Sequence, residues 1–178
     1  QRSMGWSSFS APLVVHVHAF VFMGWVAITV TQAWLAAAGS RQWHRTLGAV
    51  ALAWVCAVAV LGPLVTIEAV RTARVPFFFQ PQHFLLVNPI ALLAFLAVFA
   101  MAVTFRRHPD WHARLQVGGF ALLMGPGIGR LIPMPLLTPW AFEVATVIPL
   151  IVPLIGMVRD QRRTGRVHPA WVWPIGLM

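Results

Sequence analysis

The feature that most constrains this chain is a succession of long apolar runs separated by breaks of only a few residues. About 20 consecutive apolar residues make a helix long enough to cross the ~30 Å hydrocarbon core of a bilayer. Five stretches reach that length, at 11–38, 47–70, 84–105, 113–132 and 138–158. They are apolar on every side, unlike the striped surface helices of water-soluble proteins. They also lack the alternation of apolar and polar residues that a membrane β-barrel requires. The segment 170–178 is too short to span and reads as the start of a sixth helix. The expected fold is all-α: a polytopic transmembrane bundle forming one domain over residues 1–178.

Composition agrees. The chain is 59% hydrophobic and 10% charged, where a soluble domain would carry about a quarter charged residues. Its net charge of +9 comes from 13 basic residues, all arginine, against 4 acidic ones. A nucleic-acid-binding protein gathers such residues on a solvated face; here they fall in the breaks between apolar runs. Arg41, Arg45, Arg106, Arg107, Arg114, Arg159, Arg162, Arg163 and Arg166 belong to one side, and Arg2, Arg71, Arg74 and Arg130 to the other. The positive-inside rule puts the richer side in the cytoplasm and the N-terminus outside. Trp6, Trp43, Trp111, Trp140 and Trp171 lie near run ends, as an aromatic belt would. Cys56 is the single cysteine, so neither an intrachain disulfide nor a cysteine-based metal cluster can form.

A short pattern recurs at run starts. Trp43-His44-Arg45-Thr46-Leu47 leads into the second run and Trp111-His112-Ala113-Arg114-Leu115 into the fourth. Gly165-Arg166-Val167-His168-Pro169-Ala170 precedes the incomplete sixth. The recurrence suggests repeated two-helix units, a common way to build membrane bundles. With His18 and Gln32, the segment Gly125-Pro126-Gly127-Ile128-Gly129-Arg130-Leu131 and the stretch from Asp160 to Ala170, these motifs touch most of the chain. On them the sequence resembles a family of bacterial multi-pass inner-membrane proteins of unknown function. The resemblance implies an inner-membrane location and a last motif leading into a full helix; it supplies no activity.

Polar residues inside a bundle are expensive in lipid, so they are the functional candidates. His18, Phe22, Trp25, Thr29 and Gln32 share one helical face of the first run, and His112, Gln116, Gly119, Leu123, Pro126 and Arg130 share one of the fourth. Two imidazoles from different helices can hold haem b; His18 with His83 suits the outer side, and His44 with His112 the inner. His44, His112 and His168 together could instead bind zinc, copper or iron. Helix N-termini favour neutral imidazole, the form a ligand needs. Set against this, a histidine at a membrane helix end often serves only as an interfacial or capping group. Arg130 and Glu143, near the outer boundary, are expected to form an ion pair, with snorkelling of Arg130 to the headgroups as the alternative.

No Gly-rich phosphate loop, H-E-x-x-H helix or nucleophile elbow is present, so no independent catalytic activity is expected. Transport ranks third, because coupling ions usually need intramembrane carboxylates. The leading expectation is a small membrane protein that holds haem b or a transition metal through inward-facing histidines, near membrane electron transfer. The alternative is a non-catalytic accessory or structural subunit of a larger membrane complex. Membrane lipids and other membrane subunits are the expected partners, and nucleic acid is not.

Overall fold

The computed structural model describes residues 11–76 and 79–178; Arg2 and Trp6 lie outside them. All regular secondary structure among the described residues is helical. Among the described residues, four helices are long and apolar enough to cross a membrane: Leu13–Ala37, Arg41–Arg71, Pro81–Thr104 and Ala141–Thr164. The chain divides into two compact units, Gln1–Glu68 and Ala69–Met178.

The first unit contains α1 (Leu13–Ala37) and most of α2 (Arg41–Arg71). The reversal between them depends on Gly39, whose φ of 72° is open to glycine at little cost. The Ser40 N–H reaches back to Leu35 O at 3.0 Å and the Gly39 N–H to Ala36 O at 3.3 Å, the paired bonds of a Schellman cap. α2 starts at Arg41, ahead of the apolar run expected from 47. Apolar length marks where a helix meets hydrocarbon, not where the helix begins. At 31 residues and 1.5 Å per residue, α2 is about 45 Å long and outruns the ~30 Å core. The expected inner face of α1 is its more protected one: Trp25 is buried, and His18, Phe22, Thr29 and Gln32 are half-buried.

The second unit holds α3 (Pro81–Thr104), α4 (Pro109–Leu122), α5 (Gly125–Leu131), α6 (Ala141–Val147), α7 (Ile151–Thr164) and α8 (Val172–Gly176). 3-10 turns lie at Met134–Leu137, Ile148–Leu150 and Pro169–Trp171. The stretch 113–132 is not one uninterrupted span. Leu123 and Met124 bond to carbonyls three residues back, at 3.1 and 3.0 Å, which tightens and ends α4. Pro126 then sits in the first turn of α5, where its missing N–H costs nothing. With 14 residues, α4 is about 21 Å long and falls short of the hydrocarbon thickness. α6, its 3-10 turn and α7 run on as one apolar helix despite Pro149 and Pro153, and continue past the expected end at 158 to Thr164.

The core of this unit lies between α3 and α4. Phe95, Val98 and Ala102 of α3 are buried, as are Leu115, Gly118 and Gly119 of α4. A Cβ on Gly119 would stand 3.3 Å from Val98 Cγ1, so the missing side chain brings the helices close. A second cluster of Ile128, Met134, Ala141 and Ala145 packs α5 against α6.

Candidate functional site

The recurring Trp-His pattern has a common local geometry. His44 is the fourth residue of α2 and His112 the fourth of α4. In each case the imidazole Nδ1 reaches back to a carbonyl of the preceding helix: His44 to Gln32 O at 3.3 Å and His112 to Ala102 O at 2.8 Å. A carbonyl can only accept, so Nδ1 carries the proton in both. Each histidine thus ties its helix to the end of the one before it. In a neutral ring the lone pair is then left on Nε2.

His168 is used differently. It precedes the Pro169–Trp171 turn, and its Nδ1 accepts from the Ala170 N–H at 3.2 Å. In the neutral ring the proton is therefore on Nε2. The same imidazole meets Trp111 edge-on, with ring centres 5.3 Å apart, and Trp111 stacks on Phe105 at 4.8 Å.

Beside it lies the most highly bonded polar group of the second unit. Asp160, buried near the end of α7, accepts from Arg114 Nε at 2.7 Å and Nη2 at 2.6 Å. Trp171 Nε1 donates to it at 2.8 Å, and the His168 backbone N–H bonds it as well. Arg114 Nη1 donates to Asp110 O at 2.8 Å. This fork-to-carboxylate geometry is the strong form of the Arg–Asp pair. Room for the indole comes from Gly156, one turn before Asp160, where any Cβ would overlap the Trp171 ring. Gly118 of α4 likewise accepts Pro174 of α8. Three segments, around 114, 160 and 171, are thereby locked at one carboxylate.

The first unit repeats the indole device without the charge. The Trp54 ring lies against Gly24, where a Cβ would overlap it, and its Nε1 donates to Val21 O at 2.8 Å.

The remaining candidates are placed as follows. His18, in the first unit, stacks on Phe22 with centroids 4.1 Å apart. His83, in the second, is exposed and lies 5.4 Å from the Phe142 ring. Among the described residues, no group of three or more His, Cys, Asp or Glu side chains is placed to hold a metal ion. No ion pair between Arg130 and Glu143 is found among the described residues. Arg130 Nη1 instead donates to Pro126 O one turn back, at 2.8 Å. Both residues are exposed, so Arg130 spends its charge on its own helix and neither side chain needs a buried counterion.

Sequence reasoning named Asp160 and Arg114 as motif residues but did not pair them. A signal was available, since Asp160 is one of only two acids on the arginine-rich side. Chemically, the carboxylate of this latch is occupied by donors from Arg114, Trp171 and the His168 backbone. No family model matches the chain, and no curated protein or solved structure is similar to it.

Proposed function

We propose that this chain is a non-catalytic helical subunit of a larger membrane complex, whose histidines fasten helices. The observation that carries this reading is that backbone of their own unit engages all three motif histidines, at Gln32 O, Ala102 O and Ala170 N. The outer faces support it: Phe20, Met23, Val30 and Trp34 of α1 are largely exposed and apolar, suited to lipid or a neighbouring subunit. In this reading the chain lies in a bacterial inner membrane with its N-terminus outside, as its arginine bias and its resemblance to an inner-membrane family suggest. The 113–132 stretch crosses as an interrupted span, making five, and the two histidine-tied hairpins are repeated units. Solubilised in mild detergent from its native membrane, the chain should migrate within an assembly larger than its own 19.7 kDa; a monomer throughout rejects the reading. With Cys56→Ser as background, Arg71→Cys should react with an impermeant thiol reagent on intact cells and Arg106→Cys should not.

One observation favours a second reading, haem b or a transition metal bound through histidine. Nδ1–H donation to a carbonyl, as in His44 and His112, is the usual support of a metal-ligating imidazole and presents Nε2 as the ligand atom. His18 and His83 remain the outer-side alternatives, and a bound haem would supply one-electron transfer. His168 fits poorly, because its Nδ1 lone pair is committed to Ala170. A Soret band with reducible α and β bands in the purified protein, lost in His44→Ala or His112→Ala, would establish this reading. A colourless, metal-free sample rejects it.

A further inference from the structure

The latch bounds a cavity of about 290 Å³ between the first turns of α4 and the turn that follows α7, with Arg114, Arg166, His168, Thr164 and Asp110 in its wall. We infer that this cavity holds the phosphate of an anionic phospholipid headgroup. Its donors differ in how far they are already committed. Arg114 spends three of its five N–H groups on Asp160 and Asp110 O, and its Nη1 also pairs with the Asp110 carboxylate at 3.6 Å. The Arg166 guanidinium is exposed and makes no hydrogen bond or ion pair with the described residues. His168, with Nδ1 accepting from Ala170, keeps an N–H on Nε2. Asp110 is the one carboxylate in the wall; it lies 3.6 Å from Arg114 and is otherwise solvent-exposed. Two guanidinium groups, one held rigid and one uncommitted, match the planar forked recognition of phosphate oxygens.

Position argues for a lipid rather than a dissolved ion. The cavity opens where the apolar helix Ala141–Thr164 ends, the depth at which headgroup phosphates lie if that helix crosses the membrane. The last turns of α7 add Arg159, Arg162 and Arg163, all exposed, and such juxtamembrane clusters are attracted to anionic leaflets.

The test uses the full chain in detergent, titrated with phosphatidylglycerol or phosphatidylcholine and read by native mass spectrometry. Phosphatidylglycerol should be retained in preference. Arg166→Gln should weaken that binding about ten-fold, the loss of one direct hydrogen bond to a charged phosphate oxygen. Arg166→Lys should restore most of it. Arg162→Gln, outside the cavity wall, should change it by less than about two-fold, as a screened surface charge does. Equal retention of the two lipids overturns the proposal, and so do equal losses from Arg166→Gln and Arg162→Gln, which would mean diffuse attraction only. Displacement of the lipid by millimolar inorganic phosphate would assign the cavity to the free ion and overturn the lipid assignment.

Discussion

The two units solve one problem with different chemistry. Each must hold apolar helices together where apolar surface gives little preference for protein over lipid, so close packing and hydrogen bonds carry the association. In the first unit two fastenings are neutral: His44 on Gln32 O and Trp54 on Val21 O, with the indole seated at Gly24. The second unit has the same histidine tie, His112 on Ala102 O, and the same indole-on-glycine seat, Trp171 at Gly156. There the indole N–H points to a carboxylate, and an arginine from a third segment closes on it. Two helices in a hairpin can be tied through backbone carbonyls alone. A junction of three segments needs an acceptor with several lone pairs, and a carboxylate offers about four.

Asp160→Ala should have the largest effect, about 2–3 kcal/mol, because it removes the forked acceptor of Arg114 and the acceptor of the Trp171 indole together. Thermal unfolding in detergent would measure it, and the pair Arg114→Met with Asp160→Leu should recover much of the loss. If Asp160→Ala cost no more than His44→Ala, charge would not be what distinguishes the units.

Gly24→Ala and Gly156→Ala should each cost about 1–3 kcal/mol by overpacking against a rigid indole. The same unfolding assay applies, and similar values would show the seat to be one device used twice. His44→Ala and His112→Ala should each cost about 1 kcal/mol, the net worth of one hydrogen bond. Hydrogen exchange should show the loss locally, in the first turn of α2 or α4. Smallest of all, Glu143→Gln and Arg130→Gln should each shift stability by less than about 0.5 kcal/mol, as exposed changes do. A larger penalty that vanished in the double variant would restore the ion pair.

The apolar runs were legible because hydrocarbon thickness imposes a length that only a helix satisfies, so α1, α2, α3 and the Ala141–Thr164 helix all fall on expected runs. The interruption at Leu123–Met124 was not. Proline inside a membrane run is common, and whether it bends a helix or ends one depends on how neighbouring carbonyls are satisfied. The Trp-His recurrence marks two side chains that each stand fourth in a helix, while their acceptors, Gln32 O and Ala102 O, are main-chain atoms that carry no sequence signal. For Arg130, closeness in sequence to Glu143 does not by itself specify a partner. Arg130 had an acceptor four residues away on its own helix.

The fastenings also differ in the length of chain each one closes. The histidine ties join residues 12 and 10 apart, the Trp54 bond residues 33 apart, and the Arg114–Asp160 pair residues 46 apart. Loop-closure entropy grows as the logarithm of that separation, which puts the ion pair about 1 kcal/mol behind the histidine ties. During synthesis the partners of each tie emerge almost together, whereas Arg114 must wait for the helix that carries Asp160. The order of assembly is then hairpins first and latch last. A chain stalled before residue 160 would hold its histidine contacts formed while Arg114 still lacked its carboxylate.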